Sequence, residues 1–94
     1  MTIWLLRPVD GLVVGDYPWS PWYDKAFGFV VRAETEAEAR QFAHDNAGDE
    51  NSGMFLGKQT AATRQPWLDP KYSTCVKLTA DGEPGVILRD FAAV

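Results

Sequence analysis

The chain has 94 residues, of which 46% are hydrophobic and 23% charged, and its formal net charge is −4. This is enough for one small globular domain spanning residues 1–94, and too apolar for a disordered tail. The acidic balance argues against a general nucleic-acid or anionic-membrane binder, which needs a basic patch. The single cysteine, Cys75, excludes an internal disulfide. No apolar run is long enough to cross a bilayer. The start, Met-Thr-Ile-Trp-Leu-Leu-Arg, is too short and wrongly flanked for a signal peptide, so a cytoplasmic location is expected. A domain this small has much surface for its volume, so its twelve aromatic rings cannot all be enclosed.

Thr2 to Leu6 is a short apolar run closed by Arg7-Pro8 and predicts a strand, central in its sheet because it is hydrophobic on both faces. Leu12 to Val14, between two glycines, reads as a short extra strand or a packed loop. Asp16 to Lys25 carries two prolines and four aromatics and is neither helix nor regular strand. Ala26 to Ala33 predicts a second strand, where Gly28 marks a bulge or a close backbone approach.

A helix follows at once. Thr35 is the expected N-cap and Glu38 completes a capping box, with Glu36 and Glu38 in the first turn where the helix dipole favours negative charge. Ala39, Phe42, Ala43 and Asn46 fall on one face, with Phe42 as the large apolar anchor. Gly48 is the expected stop. Beyond it, Asp49 to Gly53 is a turn or loop, Met54-Phe55-Leu56 is an apolar patch, and Lys58 to Gln65 has no period. Pro66 to Pro70 reads as a rigid turn with Trp67 inserted beneath it.

Ser73 to Leu78 and Gly85 to Phe91 read as two further strands around the turn dipeptide Asp81-Gly82. The expected fold is α+β: a four-stranded, mostly antiparallel sheet in β-β-α-β-β order with one helix packed on one face. The other face needs cover from the aromatic loop, from residues 54–68, or from a partner.

Catalytic equipment is thin. His44 on the helix and Cys75 in a strand stand alone, and nothing in the sequence brings them together as a nucleophilic pair. No zinc-ligand spacing exists, and the loop from Asp45 to Asn51 matches a calcium loop in composition only. No glycine-rich loop opens a helix to cradle phosphate. No enzyme activity, cofactor or metal is expected.

Two features remain. Glu34, Glu36, Glu38, Asp45, Asp49 and Glu50 face only Arg40 within residues 34–50, so this one segment accounts for the chain's net negative charge. It reads either as solvated surface or as an acidic face that docks on a basic partner. Tyr17, Trp19, Trp22 and Tyr23, interleaved with prolines, form either a small core over the open sheet face or a rigid exposed anchor.

The residues Trp22 to Ala33, the helix after them, Trp67-Leu68-Asp69-Pro70, Ser73-Thr74-Cys75 and Val86 to Phe91 together resemble a group of small bacterial and prophage-borne proteins with no assigned activity. In size, acidity and lack of catalytic groups the chain is also similar to phage-encoded anti-CRISPR proteins, particularly inhibitors of type I systems. These resemblances carry no site residues. They imply a non-enzymatic phage or mobile-element inhibitor whose acidic surface occupies a basic DNA-binding site on a Cas subunit of a type I surveillance complex. The expected partner is a protein, with no direct nucleic-acid contact and no membrane, and the chain is expected to act as a monomer. The alternative is an accessory or structural mobile-element protein working through protein contacts or self-association.

Overall fold

The computed structural model describes residues 1–11, 19, 25–51 and 65–89. They form strand β1 (Thr2–Pro8), strand β2 (Phe29–Ala33), helix α1 (Glu36–Asp45), a short 3-10 turn (Asp49–Asn51) and strand β3 (Ser73–Leu78). The fold is α+β, with one helix and a three-stranded antiparallel sheet in the order β2-β1-β3.

The apolar run at the N-terminus takes the central place its composition predicts. β1 pairs with β2 from Thr2 opposite Ala33 to Leu6 opposite Phe29. It pairs with β3 from Ile3 opposite Leu78 to Pro8 opposite Ser73. Directly paired residues share a face, so this register sorts the side chains. Trp4, Leu6, Phe29, Val31, Ala33, Ser73 and Cys75 lie on one face. Ile3, Leu5, Arg7, Val30, Arg32, Thr74, Val76 and Leu78 lie on the other.

Helix α1 covers the first of these faces, burying Ala39, Arg40 and Ala43. The alanines let the helix approach the sheet closely. The core beneath contains Leu6, Trp19, Ala33, Trp67 and Tyr72, with Trp4, Phe29 and Cys75 packed at its margin. Trp67 is its centre. Its ring meets Trp19 edge-on at 5.2 Å and Phe29 edge-on at 4.9 Å, the geometry aromatic quadrupoles favour. The turn over residues 66–68 thus inserts Trp67 inward as its prolines predict.

The helix boundaries follow local chemistry. Thr35 is the N-cap, and its Oγ1 accepts from the Glu38 N–H at 3.2 Å. The Glu38 carboxylate reaches back to the Glu34 N–H at 3.3 Å, one residue before the cap. At the other end Gly48 is not the stop. Asn46 terminates the helix, and both its backbone N–H and its Nδ2 donate to the Phe42 carbonyl. Gly28 does mark a close approach: a Cβ there would stand 3.1 Å from Arg7 Cδ and 3.2 Å from the Leu6 carbonyl oxygen.

Three further expectations change. β2 begins at Phe29 rather than Ala26. Phe42 is not the buried anchor of α1; it is 47% exposed, and Arg40 holds the third buried position instead. The expected fourth strand is absent among residues 85–89, where Val86 and Ile87 are exposed and no ladder forms. A strand needs a partner edge for its backbone groups, and residues 80–85 turn the chain without returning it alongside β3. Asp90 and Phe91 lie outside the described residues, as do Leu12 to Val14, Met54 to Leu56 and Lys58 to Arg64.

Candidate partner-binding surface

The acidic segment is built on α1 and the residues at its two ends. β2 runs directly into α1, so the position of the helix is set by the strand it leaves. Its inner side is then fixed by Arg40. The Arg40 guanidinium, 6% exposed, donates from Nη1 to Ser73 Oγ at 2.8 Å and to the Trp67 carbonyl at 3.1 Å. It also donates from Nη2 to the Ser73 carbonyl at 3.0 Å and from Nε to Glu36 Oε2 at 2.9 Å. A planar guanidinium with its donors used in this way joins α1 to β3 and to the Trp67 turn, which a flexible ammonium cannot do.

This arrangement divides the six expected acidic residues. Glu34, Glu38, Asp45 and Asp49 are exposed and form no ion pair among the described residues. Glu36 is exposed but is paired with Arg40, which removes most of its field. Glu50 is not on the surface at all. It is fully buried, and its Oε1 accepts from the Ala26 N–H at 2.8 Å and from Trp67 Nε1 at 3.0 Å. Glu50 therefore belongs to the core, where it ties the segment entering β2 to the central tryptophan.

The aromatic loop divides as well. Trp19 is fully buried against Trp67, and its carbonyl accepts from Lys25 Nζ at 3.1 Å. It joins the core on the helix side, through Trp67 and Phe29, so it is neither an exposed anchor nor a cover for the opposite face. Tyr17, Trp22 and Tyr23 lie outside the described residues.

Sequence reasoning missed the apolar neighbour of the acids. Phe42 stands at the outer side of α1, with Glu38 four residues before it and Asp45 three residues after it, so the three share one side of the helix. Phe42 and Asn46 line a groove of about 340 Å³ with Phe29, Val30, Val31 and Arg32 of β2. The signal was present in the sequence as an apolar residue bracketed by acids at helical spacing. The second apolar region is the uncovered sheet face, where Val30 is 64% and Val76 52% exposed. A hollow of about 290 Å³ opens there between Leu5, Val30 and Leu88.

The expected chemistry-bearing residues stand as follows. His44 occupies the last turn of α1 and is half-buried. Cys75 lies on the helix-covered face of β3, and burial pushes its thiol above the ordinary range, against the lowering effect of Arg40. A raised thiol holds little nucleophilic thiolate near neutrality. Among the described residues no group of three or more His, Cys, Asp or Glu is placed to hold a metal ion, and no helix is long and apolar enough to cross a membrane. No protein-family model, curated protein or solved structure matches this chain.

Proposed function

We propose that this chain is a non-enzymatic binding protein that presents the acidic outer side of α1 to a basic protein surface. The observation that carries this reading is the combination of Glu34, Glu38, Asp45 and Asp49, exposed and without ion pairs among the described residues, with the half-exposed Phe42 among them. Like charges on α1 and at its two ends set up a field that steers a basic partner, and an apolar side chain amid them supplies contact area on docking. Arg40 and the Thr35 cap hold the element in place, which lowers the ordering cost of binding.

The specific partner proposed is a nucleic-acid-binding subunit of a type I CRISPR surveillance complex, with the chain acting as a phage or mobile-element inhibitor that blocks DNA. Its support is the resemblance in size and acidity to anti-CRISPR proteins, together with the acidic side of α1. The test is capture of purified type I surveillance complexes on the immobilised chain, with target DNA as competitor. Capture that DNA reverses supports the reading. Failure to bind complexes of several subtypes removes the CRISPR assignment.

A second reading has its own observation. The sheet face opposite α1 carries Ile3, Leu5, Val30, Val76 and Leu78 together with Arg7, Arg32 and Thr74, and its Val30 and Val76, with Val86 and Ile87, are exposed apolar residues. That pattern favours an accessory protein acting through self-association. Sedimentation showing a monomer at micromolar concentration removes it.

A further inference from the structure

We infer that the outer edge of β2, together with the adjoining side of α1, accepts an extended basic segment of a partner protein as an additional β-strand. The inference rests on the acidic-surface reading above and names the form the partner takes there.

The first observation is the place of β2 in the sheet. In the order β2-β1-β3 it is an edge among the described residues. Every second residue of an edge strand turns its N–H and C=O away from the sheet, ready to pair with another chain. The second observation is the shape of the groove beside it. Successive residues of a strand point to opposite faces. A hollow lined by the four consecutive residues Phe29, Val30, Val31 and Arg32 therefore runs along the strand's edge rather than over either face. Its far wall is Phe42 and Asn46 of α1. Added strands are held by this pairing of main-chain hydrogen bonds with pockets for alternate side chains.

Charge selects the occupant. Arg32 is the charged residue that lines the groove itself; the acids come from the neighbouring turns of the helix, Glu38 four residues before Phe42 and Asp45 three after it, and Glu34 follows the end of β2. A strand laid there turns alternate side chains toward α1, and a Lys-apolar-Lys pattern matches carboxylate, Phe42 and carboxylate. On the opposite side the groove meets Arg32, which disfavours basic residues at the intervening positions. A second copy of this chain fits poorly. Pairing β2 with β2 about a two-fold axis sets two acidic helices side by side on one face of the joined sheet, where their charges repel.

The test uses the full chain and a synthetic peptide, acetyl-Thr-Lys-Val-Leu-Thr-Lys-Val-amide, which puts Lys, Leu and Lys on one side. Binding is read by calorimetry and by amide shifts in a nitrogen–proton spectrum. Two versions carry N-methyl groups on one or the other set of alternate amides. Strand addition predicts shifts at residues 29–33 and a loss of about tenfold or more from one N-methyl set, with the other set binding like the parent. Equal binding by both N-methyl sets overturns the inference. So does absence of binding, or a concentration-dependent dimer formed through β2. Two controls separate this from the underlying reading. If both N-methyl sets bind alike and E38K/D45K loses all the peptides, strand addition fails while the acidic surface stands. If a peptide with Glu in place of Lys binds as well as the parent, the acidic-surface reading itself fails.

Discussion

Arg40 Nη1 donates to Ser73 Oγ at 2.8 Å while Nη2 donates to the Ser73 carbonyl at 3.0 Å, so one guanidinium grips both the side chain and the backbone at the first residue of β3. The Ser73 hydroxyl in turn donates to the Pro66 carbonyl at 2.7 Å. Helix, strand and tryptophan turn are thus joined by one buried polar network. Substituting Arg40 by Met preserves much of the volume but strips hydrogen bonds from the Trp67 and Ser73 carbonyls. Buried groups left unsatisfied cost ~1–3 kcal/mol each, so a loss of about 3 kcal/mol is expected in urea unfolding. Arg40→Lys recovers less than half of it, because one ammonium cannot span the same acceptors. An Arg40→Met variant as stable as the parent shows that the network adds nothing net.

Glu50 supplies a different test of a buried polar group. Its Oε1 serves both Ala26 and Trp67, whereas Oε2 is buried and accepts no hydrogen bond among the described residues. Glu50→Gln keeps an acceptor for both donors and removes a charge from the interior. Glu50→Ala orphans the indole N–H and the Ala26 N–H. The expected order is Gln close to or above the parent in stability, and Ala lower by about 2 kcal/mol. The measurement is thermal unfolding followed by tryptophan fluorescence, because Trp67 reports on the same contact. If Gln and Ala are equally destabilised, the two hydrogen bonds are not the reason Glu50 is buried.

These two residues also mark where sequence reasoning stopped. β1 and the Thr35 cap are legible because each follows from residues next to it in the chain, and Gly28 and Trp67 because residue type marks them even though their partners are distant: a glycine inside a strand signals a close approach, here to Leu6 and Arg7, and flanking prolines mark the turn that carries the indole. From the sequence Glu50 reads as part of an acidic surface and Arg40 only as the one cation set against it, because their partners lie 33, 27, 24 and 17 positions away. A buried charge is a property of the tertiary acceptors around it, and no local pattern encodes them. Phe42 failed for the converse reason. Helical spacing put it with Ala39 and Ala43, but once Arg40 had partners inside, the helix turned Phe42 toward the edge of β2. The expected fourth strand rests on the run Gly85 to Phe91 after the Asp81-Gly82 turn dipeptide, and a turn dipeptide does not by itself bring the following run alongside an edge with which it can pair.

Gly28 offers a substitution in which two effects oppose each other. Alanine there reduces the freedom of the unfolded chain, worth ~0.4–1 kcal/mol in favour of folding. Its Cβ would also press on Arg7 Cδ at 3.1 Å, which can move, and on the Leu6 carbonyl oxygen at 3.2 Å, which is fixed in the central strand. Overpacking against a rigid backbone costs ~1–3 kcal/mol. The net expectation for Gly28→Ala is a loss of about 1 kcal/mol in chemical denaturation. A stabilised variant would show that β1 and Gly28 separate without strain.

Cys75 gives a pH-dependent prediction. Burial raises its thiol above the ordinary value, so the folded chain holds the proton more tightly than the unfolded chain does. Labelling by a thiol-specific disulfide reagent at pH 8 is expected to be slower in the native chain than in urea, by more than its partial exposure alone explains. Linkage fixes the sign for stability. The contribution of this group is complete below the unfolded thiol's pKa and is lost as pH rises through that value toward the folded one. Cys75→Ser should therefore flatten the alkaline fall in stability. An unchanged alkaline profile would assign that fall to other groups.

The acidic surface predicts that charge and fold are separable on the outer side of α1 and inseparable within the core. Glu38 and Asp45 are exposed, so E38K/D45K should keep its circular dichroism spectrum. Some stability is lost, because Glu38 bonds the Glu34 N–H and Asp45 accepts from Gln41, but surface contacts of this kind are worth ~1 kcal/mol or less. Association with a basic partner should fall much further, chiefly through a slower on-rate that no longer responds to salt. In the parent chain the on-rate should drop steeply between low and physiological ionic strength, as the Debye length shortens from ~30 Å at 0.01 M to ~8 Å at 0.15 M. Glu50→Lys is the internal contrast. It reverses the same charge, but places an ammonium where Trp67 and Ala26 require an acceptor, so it should unfold the domain rather than merely disarm it. Stopped-flow binding at several salt concentrations, run beside denaturation curves for the same variants, separates the two effects. A folded E38K/D45K chain that binds at the parent's rate and salt dependence would remove the acidic side of α1 from the interface.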